Sequence, residues 1–194
     1  MLGRDPLADA VAVKQRIGVV PERMALLERL TVAETLSFVG KVHGLETEAI
    51  KERSGELLER MSLEEASEIL VTDCSHGMRK KVALASALLP GPELLFLDEP
   101  FEGIDAVASR EIKNLLSLFV RRGGTIFLTS HILEVVERLC DHVGIIAGGK
   151  LVAQGGLAEL RRAHGNADLE DIFLELVGAP ATSEDREMDW LGKV

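Results

Sequence analysis

Two adjacent carboxylates, Asp98 and Glu99, stand at the end of the apolar run Leu94-Leu95-Phe96-Leu97 and are closed off by Pro100. An uninterrupted apolar run of this kind reads as a strand buried on both faces. Such a strand has no structural need for two acids at its end. Phosphate chemistry does need them: one carboxylate can hold a magnesium ion and the next can polarise an attacking water. Taken alone, a surface turn punctuated by proline accounts for the pair equally well. The context is more specific. His131 directly follows a second strand pattern, Thr125 to Ser130. In an open α/β sheet, ligands bind outside the carboxyl ends of the strands, so two parallel strands would bring the Asp-Glu pair and the histidine to one edge.

A third candidate is Cys74-Ser75-His76-Gly77-Met78, which opens a helical pattern running through Ala83, Ala85 and Ala87. Ser75 is a sound N-cap. A Ser-x-Gly segment at a helix start also presents main-chain N–H groups and the positive end of the helix dipole, which suit an anion. An ordinary capped helix is the simpler account of this segment by itself.

These residues need elements to position them. Arg16 to Pro21 reads as a short strand ended by proline. From about 24 to 90 the pattern is helical, with capping boxes at Thr31-Val32-Ala33-Glu34 and Ser62-Leu63-Glu64-Glu65, and Gly44 ending the helix between them. After residue 90 the chain alternates. Leu94 to Leu97 is a strand, Ala106 to Arg121 an amphipathic helix capped by Asp105 and stopped by Gly123-Gly124, Thr125 to Ser130 a strand, and Ile132 to Leu139 a helix. Val143 to Ala147 and Leu151 to Ala153 flank Gly148-Gly149-Lys150 and read as a β-hairpin. Residues 157 to 177 are helical, with Leu169, Ile172, Phe173, Leu176 and Val177 on one face. The tail from Ala181 is acidic. Strands alternating with helices predict an α/β fold with a mostly parallel sheet and an inserted helical subdomain.

Composition bounds the rest. At 194 residues with 46% hydrophobic and 28% charged residues, the chain is globular and long enough for a sizeable core. A net charge of −10 argues against a broad nucleic-acid surface. The basic cluster Arg79-Lys80-Lys81 reads as a solvated helix edge. The two cysteines, Cys74 and Cys140, are too few for a disulfide framework and read as buried free thiols. The apolar runs fall far short of a membrane span, and the N-terminus shows no signal-peptide pattern, so the cytosol is the expected compartment.

The order of these motifs resembles the nucleotide-binding domain of ATP-binding-cassette (ABC) transporters, over nearly the whole chain. Cys74 to Met78 looks like the family signature, usually written LSGGQ. Leu94 to Glu99 looks like the Walker B strand, Phe101-Glu102-Gly103-Ile104-Asp105 the D-loop, and His131 the switch histidine. Val20-Pro21-Glu22 stands where the Q-loop falls, and Asp171 to Leu176 looks like the closing helix. The resemblance implies a partial nucleotide-binding domain over 1–178, with a helical subdomain at about 24–90, a catalytic core at 91–156, C-terminal helices at 157–178 and an acidic tail at 179–194. It implies ATP and magnesium as ligands. Asp98 would bind magnesium through water, with Glu22 able to approach the same ion. Glu99 would be the general base, and His131 would contact the γ-phosphate. Ser75 and Gly77, flanked by His76 and Met78, would donate to a γ-phosphate on the opposite subunit of a head-to-tail dimer, and Asp105 would couple the two sites. The helical insert would dock on a transmembrane permease subunit and hold the protein at the inner face of the cell membrane. The region from Val13 to Leu36 and the closing helix look most like exporter-type relatives.

The chain departs from the family pattern at Glu22, where glutamine is common, at His76, which replaces the first signature glycine, and at Met78, which replaces a glutamine. It also contains no Walker A loop, GxxxxGK(S/T). Gly144 to Leu151 matches all but the last position, but Leu151 cannot ligand magnesium and the match lies in a hairpin. The Walker A strand of the family sits inside the sheet, so a chain without it is expected to be marginally stable and the isolated chain catalytically silent. Two functions follow. One is an ATP-hydrolysing transporter subunit recorded without its N-terminal part. The other is a non-hydrolytic partner that lends only its signature helix to an intact subunit. A zinc site built from the pairs Cys74/His76 and Cys140/His142 is disfavoured, because zinc ligand pairs more often leave two to four residues between them.

Overall fold

Residues 1–178 are described by the computed structural model, and the chain divides into two compact units, Met1–Ser130 and the segment from His131 onward.

The first unit is built on a three-stranded parallel sheet in the order β1-β2-β3, with β1 at Ile17–Val20, β2 at Leu94–Asp98 and β3 at Thr125–Thr129. Ile17 pairs with Leu94 and Leu94 with Thr125, so all three strands end at one edge, where Asp98 lies opposite Thr129. Between β1 and β2 runs the helical insert. It comprises α2 (Val32–Val42), α3 (Thr47–Arg60), two short 3-10 turns at Glu64–Ala66 and Val71–Asp73, and α4 (His76–Leu88). Helix α5 (Ala106–Arg121) connects β2 to β3. A five-residue helix, α1 (Ala10–Lys14), precedes β1.

The local sequence signals explain most of these boundaries. The Thr31 hydroxyl accepts the Glu34 N–H while the Glu34 carboxylate accepts the Thr31 N–H, closing the expected capping box. Helix α2 ends in a Schellman arrangement: Gly44, at φ +73°, donates to the Lys41 carbonyl and Leu45 to that of Gly40. Helix α5 ends in the same way at Gly123-Gly124, whose N–H groups reach Val120 and Phe119. Gly18 permits a close approach of main chain to main chain: a β-carbon there would lie 2.6 Å from the Ala87 carbonyl oxygen and 2.5 Å from the Leu95 side chain. Helix α4 therefore presses directly on β1, and Leu95, Leu97, Val82, Ala85, Ile112 and Leu116 fill the core.

Three expectations need correction. The second capping box does not form. Ser62 takes a left-handed conformation (φ +51°), its hydroxyl donates to Glu111 Oε1 at 2.8 Å, and the turn at Glu64 has no side-chain cap. Burial of Met61 and Leu63 on either side forces the chain to reverse there, and the Glu111 carboxylate takes the hydroxyl. The apolar run of β2 is buried on one face only. Leu95 and Leu97 are buried, while Leu94 and Phe96 are half-buried. On that second face Val19 is 55% and Phe127 59% exposed, and Phe96 and Phe127 meet with ring centroids 5.7 Å apart. Third, Lys80 and Lys81 do not form a solvated edge: they are 3% and 7% exposed.

The second unit contains α6 (Leu133–Leu139), the antiparallel hairpin of β4 (His142–Ala147) and β5 (Lys150–Gly156), α7 (Leu157–Ala163) and α8 (Leu169–Val177). Gly148 and Gly149 both have positive φ, as a two-residue hairpin turn requires. The C-terminal helices expected over 157–178 are two, divided where Asn166 is left-handed and where Asp168 restarts the helix by accepting the Asp171 N–H. Leu169 and Ile172 pack with Ile145 in a small core that also takes Leu133, Phe173 and Leu176. Val177, read as part of that face, is half-buried at the helix end. The acidic stretch from Ala181 lies outside the described residues.

Candidate functional site

The site begins where β2 stops. Asp98 is the last strand residue, and Glu99 turns out of the strand with φ +46°. The main chain of Glu99 is held on both sides. Its N–H donates to the Thr129 carbonyl at 3.2 Å, and its carbonyl accepts the Lys80 ammonium at 2.6 Å and the Glu102 N–H at 3.3 Å. The Thr129 hydroxyl donates to Asp98 Oδ1. Thr129 thus contacts both acids, one through its hydroxyl and one through its main chain.

Lys80 was missed in the sequence because a basic triplet on a helix reads as surface. It is the cation of this edge. Burial lowers its pKa, and the carboxylates of Glu102, Glu99, Glu22 and Asp98 act against that shift. Glu22 enters the group because β1 and β2 are parallel: Val20 pairs with Leu97, so Glu22 and Glu99, each two residues beyond that pair, reach the same edge. The other basic residues of the triplet are also committed. Arg79 pairs with Glu28 at 3.0 Å. Lys81 donates to the Met61 carbonyl at 2.5 Å and to Glu111 Oε2 at 2.9 Å.

One and a half turns before Lys80, helix α4 starts at the expected cap, with the Ser75 hydroxyl accepting the Met78 N–H at 3.2 Å. The loop Phe101 to Asp105 lies beside this helix start. Asp105 caps α5 by accepting the N–H groups of Val107 at 2.8 Å and Ala108 at 2.9 Å. Those bonds, Ala108 first, hold its carboxyl below the usual aspartate value against the opposing effect of burial. Its second oxygen lies 3.7 Å from where a β-carbon on Gly77 would sit. A β-carbon on Gly103 would lie 3.2 Å from His76 Nε2, so the imidazole in the first signature-glycine position packs over the glycine of the neighbouring loop.

The first unit therefore gathers Glu22, Asp98, Glu99 and Lys80 at one edge of the sheet, and Ser75, His76, Gly77 and Asp105 at the start of α4. His131 opens the second unit, two residues after Thr129 in the chain, and is exposed. The donor set of Asp98 and Glu22, with the Thr129 hydroxyl beside it, consists of oxygens only. That suits magnesium, which takes one or two carboxylates and completes its shell with water and phosphate. Cys74 and Cys140 are free thiols, both with pKa pushed up chiefly by burial. Among the described residues no three His, Cys, Asp or Glu side chains gather as a metal cage. The near-match Gly144 to Leu151 forms the β4–β5 hairpin.

A family model described as ABC transporter matches residues 2–102. The chain is 38% identical over 152 residues to the linearmycin resistance ATP-binding protein LnrL of Bacillus subtilis, covering 78% of this chain and 49% of that protein. It is 35% identical over 173 residues to the ABC transporter ATP-binding protein NatA of Bacillus subtilis, covering 89% of this chain and 70% of NatA. The chain thus spans about half the length of LnrL. A solved structure of an ATP-binding subunit of an ABC transporter superposes with a TM-score of 0.84 at 30% identity, over 91% of this chain and 74% of the other.

Proposed function

The chain belongs to the ABC transporter family, and from that premise we propose that it is an ATP-binding subunit whose ATP hydrolysis drives transport through a membrane partner. The observation that carries this reading is the Asp98-Glu99 pair at the end of β2, with the main chain of Glu99 held between Thr129 and Lys80. Bound magnesium would neutralise phosphate charge; the residues to hold it are Asp98, through water, and Glu22. Glu99 orients the attacking water and takes its proton. His131 contacts the γ-phosphate. Ser75 and the N–H of Gly77 serve the ATP of a second nucleotide-binding subunit across a head-to-tail dimer, and Asp105 links the two sites.

The membrane partner is a permease. Among the described residues no helix is long and apolar enough to cross a membrane, and the helical insert exposes Leu27, Phe38 and Val42. A groove of about 240 Å³ runs between β1, α2 and α4, lined by Val19, Met24, Leu26, Val39, His43 and Ser86 among others. This face supports a helical segment of the permease as the docking partner, with the protein peripheral on the inner side of the membrane.

A second reading is favoured by one observation: within these 194 residues the nearest approach to the phosphate-loop pattern, Gly144 to Leu151, ends in Leu151 instead of a hydroxyl residue and lies in a hairpin. On that reading the chain lends Ser75 to Met78 to the ATP of an intact subunit. ATP turnover separates the two, measured for the purified chain with and without a second subunit that carries GxxxxGK(S/T). Turnover that depends on Glu99 of this chain supports hydrolysis here. Turnover that depends on Ser75 but not on Glu99 supports the lending role. Dependence on neither residue would overturn both.

A further inference from the structure

Four non-glycine residues have positive φ among the described residues, and Glu99 is the one at the candidate site. A left-handed conformation at a residue with a side chain persists only where the surroundings over-determine it. At Glu99 those surroundings are visible. Thr129 in β3 takes its N–H, and Lys80 in α4 and Glu102 in the following turn take its carbonyl. Of the three, Lys80 is the one that reaches Glu99 from a helix and with a charged group. It is 3% exposed, and burying an ammonium is costly unless the charge is compensated. A methionine would fill the same space without that cost. The ammonium ends 2.6 Å from the Glu99 carbonyl, on the helix that begins at Ser75.

We infer that Lys80 is a positioning residue for Glu99: its ammonium, donated to the Glu99 carbonyl, holds the left-handed main chain that sets where the Glu99 carboxylate stands, and ties that main chain to the helix carrying Ser75 and Gly77. The functional side of this inference rests on Glu99 being the residue that orients water. A shift of α4 when its N-terminal end engages a phosphate then reaches Glu99 through one side chain rather than through the length of the sheet.

Amide hydrogen exchange of the full 194-residue chain tests it, comparing the wild type with Lys80→Met and Lys80→Arg. In Lys80→Met the amides of Glu99 and Glu102 should exchange at least about tenfold faster, while those of Leu95 and Leu97 in the same strand stay within about twofold. Lys80→Arg, which keeps a charged donor, should restore Glu99 and Glu102 to within about threefold. Unchanged exchange at Glu99 and Glu102, equal acceleration at Leu95 and Leu97, or no rescue by arginine would each overturn the inference. Should Lys80→Met not fold, Lys80→Arg decides: retained protection at Glu99 supports it, and loss overturns it. In an assembly that turns over ATP, Lys80→Met should lower kcat at least about tenfold with KM for ATP within about twofold; an effect on KM alone would overturn positioning. Exchange does not depend on turnover. Hydrolysis that survives Glu99→Gln would remove the water-orienting role while leaving the exchange result intact.

Discussion

Lys81 and Glu111 form a pair across two helices, with Nζ 2.9 Å from Oε2 and side chains only 9% and 18% exposed. The ammonium also bonds the Met61 carbonyl, and the other carboxylate oxygen takes the Ser62 hydroxyl. One ion pair therefore joins α4, α5 and the turn that ends α3.

Breaking a pair of this kind leaves a charge without its partner. Glu111→Ala should destabilise the chain by about 3 kcal/mol, because the remaining Lys81 ammonium is buried. Lys81→Met with Glu111→Leu, which removes both charges and keeps volume, should recover most of that loss. Urea unfolding of the single and double variants measures both, and a double variant as unstable as the single would contradict the assignment.

Gly18→Ala should destabilise through overpacking. The new methyl would meet the Ala87 carbonyl oxygen at 2.6 Å, and main chain cannot move aside as a side-chain tip can. The expected cost is about 1–3 kcal/mol, read as a lower midpoint in urea at an unchanged m-value.

Asp105 makes stability depend on pH. Its carboxyl sits below the ordinary 3.8 because it accepts helix N–H groups, that of Ala108 first. A depressed folded value means the contribution is whole above 3.8, declines as pH falls through the folded value, and is absent below it. Asp105→Asn keeps the cap but not the charge. The stability difference between wild type and this variant should be constant near neutrality and shrink as pH falls below 3.8. A difference that does not change with pH would show that the charge contributes nothing.

Glu99→Gln should lower ATP turnover by about 10²–10⁴-fold, the usual contribution of a general base. Nucleotide binding should be retained, since glutamine has the same shape and removes a negative charge from an edge that also holds Asp98 and Glu22. Equilibrium binding of a fluorescent ATP analogue beside a phosphate-release assay checks the two halves separately.

Much of the site was legible in the sequence because its signals are local. The Asp98-Glu99 pair at the end of an apolar run, the caps at Thr31, Ser75 and Asp105, and the Gly148-Gly149 turn each rest on residues within four positions of one another. Hydrogen bonds over that range form in the same way whatever the rest of the chain does. The misreadings share the opposite property. Ser62 has the spacing of a cap, but Glu111, 49 residues later, takes its hydroxyl. The Leu94 to Leu97 run has the apolar content of a doubly covered strand, yet α4 and α5 leave the face of Phe96 and Phe127 partly open.

By itself, then, the sequence determined the α/β order, the family and the identity of the acids at the sheet edge, since these follow from short-range pattern and motif order. Only the tertiary structure decided what Arg79, Lys80 and Lys81 do. A cation on a helix is solvated unless the fold brings an acceptor into its reach, and the acceptors here, the Glu99 carbonyl and the Glu111 carboxylate, lie 19 and 30 residues away in the chain. Burying those two ammonium groups is tolerable only because those partners arrive with the packing of α4 against β1 and α5.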